Sequence, residues 1–107
     1  MDITQAVEQF IVSSIRHGES TEQGNYKVTN KEYKIIQKLS VILLSDIEVF
    51  SKLLTHENPY VRLAAGSYLI RVEQVKDTAI TELEKLQIER GFLGFNAKMV
   101  LKEMKNK

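Results

Sequence analysis

Few side chains in this sequence stand in patterns that could do chemistry, and most of those patterns argue against catalysis. Its two histidines, His17 and His56, are far apart in the chain. A transition-metal site needs several converging ligands, and neither His-x-x-x-His nor His-Glu-x-x-His occurs. His17 follows Arg16 just before Gly18, where cations favour the carbonyl end of a helix, and His56 lies in a turn beside Glu57. Without a single cysteine there is no thiolate ligand, no cysteine nucleophile and no disulfide framework. Gly91-Phe92-Leu93-Gly94 is not a phosphate cradle, because Phe92 and Leu93 fill it with apolar bulk and no Lys-Ser/Thr follows. No nucleophile elbow or dinucleotide fingerprint is present, and Glu82 and Glu84 read as a solvated helical surface. The expectation is a protein that is not an enzyme and uses neither metal nor cofactor.

What remains are residues suited to recognition. Arg62 stands beside Val61 on an otherwise apolar helix, where a covered guanidinium needs an acidic or carbonyl partner. The spacing predicts that it ties neighbouring helices together through an acid such as Glu57, Asp46 or Glu103; the alternative is an arginine presented to an acidic partner. Phe95 and Met99, four residues apart, fall on the side of the last helix opposite Ala97, Val100, Leu101 and Met104. They form an apolar spot that is either packed under the Gly91–Leu93 turn or offered to a partner, with Lys98 and Lys102 as its polar rim. Lys98, Lys102, Lys105 and Lys107 also motivate a nucleic-acid-binding alternative, since phosphate contacts require clustered cations. Glu103 interrupts that cluster and no aromatic-basic interleaving accompanies it, so nucleic acid is the less favoured partner.

These residues must be positioned by a small scaffold. A chain of 107 residues makes one domain, over residues 1–107, able to bury roughly two thirds of its unfolded surface. Its net charge of +1 gives no general pull toward nucleic acid or anionic lipid. The longest apolar run, Val41 to Leu44, is far short of the about 20 residues of a membrane span. The N-terminal residues lack a basic region followed by an apolar run, so no secretory signal is read there. A soluble, cytoplasmic protein is expected.

Apolar residues recur with helical spacing throughout. Asp2, with Gln5 three residues on, caps a first helix with Ile3, Ala6, Val7 and Phe10 on one face, and Gly18 is expected to end it. Gly18 to Lys27 reads as a polar surface loop. Thr29 with Glu32 as its box partner, and Val28 stapled to Tyr33, predicts a helix from about Asn30 to Leu44. Tyr33, Ile36, Leu39, Ser40, Leu43 and Leu44 would form its main face, with Ile35 and Ile42 opposite, so that it is covered on two sides. Ser45 with Glu48 opens a short helix carrying Ile47, Phe50, Leu53 and Leu54. Asn58 and Pro59 start the next, with Val61, Ala64, Ala65, Tyr68 and Leu69 on one side and Leu63 and Ile70 on the other. The second and fourth helices are therefore expected to be the most buried. A fifth begins near Asp77 and ends at Gly91, and a sixth runs from Gly94 to Lys105. Six helices of about 10–16 residues joined mostly by short turns predict an all-α fold. They pair as three antiparallel hairpins in a short right-handed α-solenoid; a compact orthogonal six-helix bundle is the alternative.

The stretch Leu53-Leu54-Thr55-His56-Glu57-Asn58-Pro59-Tyr60-Val61-Arg62-Leu63-Ala64-Ala65 resembles the turn and inner helix of a HEAT repeat, where Asn-Pro, Val-Arg and paired alanines recur. Together with Gly91-Phe92-Leu93-Gly94-Phe95-Asn96-Ala97-Lys98-Met99-Val100-Leu101-Lys102-Glu103 it resembles a small bacterial domain-of-unknown-function family with a single HEAT-like, armadillo-type helical domain. The resemblance covers roughly the C-terminal half and implies a scaffold or binding protein. The functional expectation is a protein–protein interaction module, such as an adaptor, regulatory or immunity-like protein, with a homodimer as one form. Arg62, Phe95, Lys98, Met99 and Lys102 are its candidate contact residues.

Overall fold

Helix α1 begins as its first residues dictate: Asp2 accepts the Gln5 amide at 2.8 Å while the Gln5 side chain accepts the Asp2 amide at 3.2 Å. The computed structural model describes residues 1–105, and in it α1 spans Ile3–Glu22. It runs straight through Gly18. That glycine serves packing rather than termination, since a Cβ there would fall 2.1–2.5 Å from ring atoms of Tyr60. The helix stops at Gln23 and Gly24, where Gly24 takes φ +73° and the Asn25 amide returns to the Ser20 carbonyl at 2.9 Å. The expected loop from Gly18 to Lys27 thus contracts to residues 23–25.

Helix α2 (Tyr26–Leu43) is capped by Asn25, whose side chain accepts the Val28 amide at 3.3 Å. Thr29 and Glu32, expected to make the cap, lie inside the helix: Thr29 Oγ1 meets Ser20 Oγ at 2.7 Å, and Glu32 is buried against the core. The buried stripe is Glu32, Ile36, Leu39, Ser40 and Leu43. Tyr33 and Leu44, expected on that face, are exposed. Two-sided coverage is likewise corrected: α2 lies at the edge, packed mainly on α1 with a minor contact to α3, and Val41 is open to solvent.

Helix α3 (Ile47–Ser51) is capped by Asp46, which accepts the Val49 amide at 3.2 Å, while the hydroxyl of Ser45 turns back to the Ile42 carbonyl. A 3₁₀ turn over Lys52–Thr55 follows. Helix α4 (Pro59–Leu69) starts as expected, with Asn58 accepting the Tyr60 amide at 2.9 Å and proline in the first turn. Helix α5 spans Lys76–Leu86, and α6 spans Gly91–Lys105. Gly91, expected to end α5, instead begins α6 with φ +70°, and Gly94 is buried in the first turn of α6.

Helix α4 is the hub, as its nearly all-round apolar sequence requires: it touches α1, α3, the 3₁₀ turn, α5 and α6. Val61, Leu69 and Ile70 are fully buried with Phe10, Phe50, Leu43, Leu54 and Leu83. Phe10 and Phe50 meet edge to face at 5.3 Å and 79°. Gly66 admits Leu83, whose side chain would stand 3.1 Å from an added Cβ. Besides α4, α1 also touches α6, so the described helices close into a globule of 33 × 31 × 26 Å. The all-α class holds.

Candidate functional site

Four of the five residues expected to contact a partner share the outer side of α6. Phe95 is 66 % exposed and Met99 39 %, with Lys98 and Lys102 exposed beside them. The packing of Phe95 and Met99 under the Gly91–Leu93 turn is therefore not realised. Leu93, Ala97 and Leu101 face the core instead. Lys105 and Glu103 are exposed at the end of the helix, and Lys107 lies outside the described residues.

Arg62 sits elsewhere. Its guanidinium Nη1 donates to the carbonyls of His56 at 2.7 Å and Glu57 at 2.9 Å. The acid partners expected from the sequence are replaced by carbonyl groups of the turn before α4, which lie outside the helix. His56 belongs to the same device, its Nδ1 accepting the Asn58 amide at 3.0 Å. Arg62→Ala should therefore lower stability by about 1 kcal/mol, because the half-covered His56 carbonyl loses a charged donor while water can replace it at the exposed Glu57 carbonyl. Urea unfolding measures this directly, and Arg62→Lys should recover only part of the loss, since the ammonium is more strongly hydrated than the guanidinium and gives up water less readily. Close by, exposed Lys85 pairs with Glu82 at 3.4 Å, a contact of small energetic weight; Glu84 is exposed as expected, whereas Glu82, expected on the solvated face of α5, is half-buried.

A second, more apolar concavity lies elsewhere again: a cleft of about 390 Å³ whose walls come from α1, α2, α4 and α6. Aromatic rings form one end. His17 lies 6.0 Å from the Tyr33 ring centre and 5.9 Å from Phe92, and Phe92 is 6.4 Å from Tyr60. Tyr68 adds a fifth ring, while Asn96, Ser67, Arg71 and Glu103 contribute polar groups. Val100 and Met104, read as core residues, are half-buried and line this space. A helical pitch of 3.6 residues sets Met99 about 20° around α6 from Phe92, so the exposed Phe95–Met99 stripe adjoins the cleft wall.

Two buried oxygens near this end have no hydrogen-bond partner, Ser14 Oγ and Glu32 Oε1. Ser14 lines the cleft and is only 2 % exposed. Burial lowers the pKa of His17, against a weaker opposing pull from the Glu32 charge, so its ring is neutral at pH 7. Its expected role at a helix end does not apply, because α1 continues past it; the hydroxyls of Ser20 and Thr21 donate to its carbonyl instead. Tyr60 has its phenol pushed up to about 12, first by burial and then by donation to Glu22 and the charges of Glu22 and Glu19. Burial also raises the Tyr68 phenol, with Tyr33 adding to the effect.

His17 gives the fold a pH dependence of defined sign. With its folded pKa below 6.5, the unfolded chain binds the proton more readily. This contribution to stability is complete above about pH 6.5 and is lost as pH falls through the folded pKa. The expected result is a falling Tm on acidification below that value, with a flatter profile for His17→Gln. A variant profile parallel to the parent's would remove His17 as the cause.

Sequence periodicity missed this cleft because its residues come from four helices and none forms a motif. The one available signal was the number of tyrosine and phenylalanine side chains at positions that helical spacing leaves off the core stripe, such as Phe92. No group of His, Cys, Asp and Glu among the described residues is arranged to hold a metal ion, and no described helix is long and apolar enough to cross a membrane. Comparison with family models, curated proteins and solved structures finds no match for this chain.

Proposed function

We propose that this chain is a non-enzymatic protein-interaction module of HEAT-like character, working in the bacterial cytoplasm, that binds a protein partner or a second copy of itself through the outer side of α6. The observation that carries the reading is the exposure of Phe95, 66 % open to solvent in a well-packed fold, with Met99 beside it. Large apolar side chains held together at a surface are the kind of core an interface uses, and Lys98 and Lys102 supply a charged rim. The Asn58-Pro59 start, Val61-Arg62 and the Ala64-Ala65 pair of α4 support the HEAT-like reading.

Phe95→Ser combined with Met99→Ser tests it. Because both side chains are exposed, the double variant should keep the parent's helical content and Tm. It should lose self-association in sedimentation, or lose a protein captured by the parent from native cytoplasm. Unchanged association and capture would remove α6 from the interface.

A further inference from the structure

The aromatic cleft supports a separate conclusion, independent of the reading of α6. We propose that it is a binding site for a free aromatic amino acid, with the planar ring among the side chains of His17, Tyr68 and Phe92, and the charged main-chain groups at Arg71 and Glu103.

Size comes first. A space of about 390 Å³ falls within the range of small-molecule sites, a few hundred Å³, and it is mostly apolar with a few polar groups placed along it. Helix order then gives the cleft a direction. Tyr60 and Phe92 stand in the first turns of α4 and α6 with their rings 6.4 Å apart, whereas Arg71 and Glu103 lie just past the end of α4 and near the end of α6. All four line the same space, so it has an aromatic end and a charged end. Flat walls favour a flat occupant, because π faces and edges stack best on another ring.

Charge narrows the class further. Arg71 and Glu103 have opposite signs, and neither forms an ion pair among the described residues. One cation and one anion at the same end suit a zwitterion, the α-carboxylate meeting the guanidinium and the ammonium meeting the carboxylate. A phosphate ester would want two or more cations there, and a fatty acid would leave Glu103 unmatched.

The Ser14 hydroxyl supplies the remaining observation. A buried hydroxyl without a partner is uncommon in a well-packed domain, and this one lines the cleft one helical turn from Gly18, on which Tyr60 packs. It can donate to or accept from a ring substituent, such as the phenol of tyrosine or the indole N–H of tryptophan.

The test uses the full chain and follows backbone amide shifts during titration with L-tyrosine, L-tryptophan and L-phenylalanine, and in parallel with L-leucine and N-acetyl-L-tyrosinamide. Saturable shifts centred on Ser14–Gly18, Tyr68–Arg71 and Phe92–Asn96 are expected with the aromatic amino acids. Leucine and the blocked amide should bind about tenfold or more weakly, lacking the ring or both charges. Arg71→Ala, at an exposed position, should leave Tm unchanged and weaken the aromatic amino acids about tenfold. Ser14→Ala should also keep Tm, since its hydroxyl has no partner to lose, and should weaken tyrosine several-fold relative to phenylalanine. The proposal is overturned if none of the aromatic amino acids gives a saturable response up to its solubility. It is equally overturned if the shifts lie outside the cleft, or if the blocked amide binds as well as tyrosine, which would assign the space to an aromatic side chain of a protein partner.

Discussion

Gly94→Ala is expected to be among the most damaging single methyl additions in this chain. A Cβ at Gly94 would lie 1.8 Å from the Glu89 carbonyl oxygen, 2.8 Å from its carbon and 3.1 Å from the Gln87 carbonyl oxygen. These are backbone atoms of the turn between α5 and α6, so no side chain can swing aside. The first turn of α6 must move, and Leu93, Ala97 and Leu101 lose their seat in the core with it. Overpacking usually costs about 1–3 kcal/mol, and a backbone collision belongs at or above the upper end. Gly24→Ala is the internal standard: its φ of +73° strains alanine, but nothing lies within 4 Å of the new methyl. Urea midpoints should fall further for Gly94→Ala than for Gly24→Ala, and the reverse order would mean that the close approach at Gly94 is absent in solution.

Leu69→Ala should have a comparable effect for the opposite reason. Leu69 is fully buried near the end of α4, the helix that touches most of the others, and its truncation leaves a cavity with neighbours on every side. A loss of about 2–5 kcal/mol is expected. Leu44→Ala provides the contrast. Leu44 shares the aliphatic chemistry but stands at the exposed end of α2, so its loss should stay below about 1 kcal/mol. Equal effects at the two positions would contradict the burial pattern.

Those two leucines also show what the sequence could and could not reveal. The period of apolar residues identified six helices, and the Asp2 and Asn58-Pro59 starts were legible because a cap is a local device whose acceptor and amide lie within three residues of each other. Glycines were read with the wrong function: Gly18 and Gly94 match helix-boundary signals, yet each is required by a neighbour distant in sequence or by a carbonyl across a turn. Thr29-Glu32 satisfied the capping-box pattern, but Asn25 offered an earlier cap and the helix took it. Leu44 and Tyr33 fit the apolar face of α2 by spacing, and only tertiary placement at the edge leaves them exposed. Of the candidate site, the outer face of α6 was visible because it occupies one helix. Arg62 was recognised as needing a partner, though not that the partner would be a pair of carbonyls. The cleft was not legible, since Ser14, His17, Tyr33, Tyr68 and Phe92 meet only after four helices have packed.

The placement of α2 has a consequence for how the molecule opens. α2 is held mainly through α1, its neighbour across residues 23–25, whereas α1 also grips α4 and α6. Detaching α2 uncovers the one interface it shares with α1; detaching α4 dismantles the core. Cooperative units within a domain follow such differences in coupling, so α2 is expected to open as a smaller unit than α4, and amide exchange should be slowest in α4. The α1–α2 pair is closed by a three-residue turn, so its loop-closure cost is small. Tyr33, which walls the cleft from α2, thus rides on an edge helix, and the aromatic space is expected to widen from that side first, because the walls from α1, α4 and α6 belong to helices that grip one another.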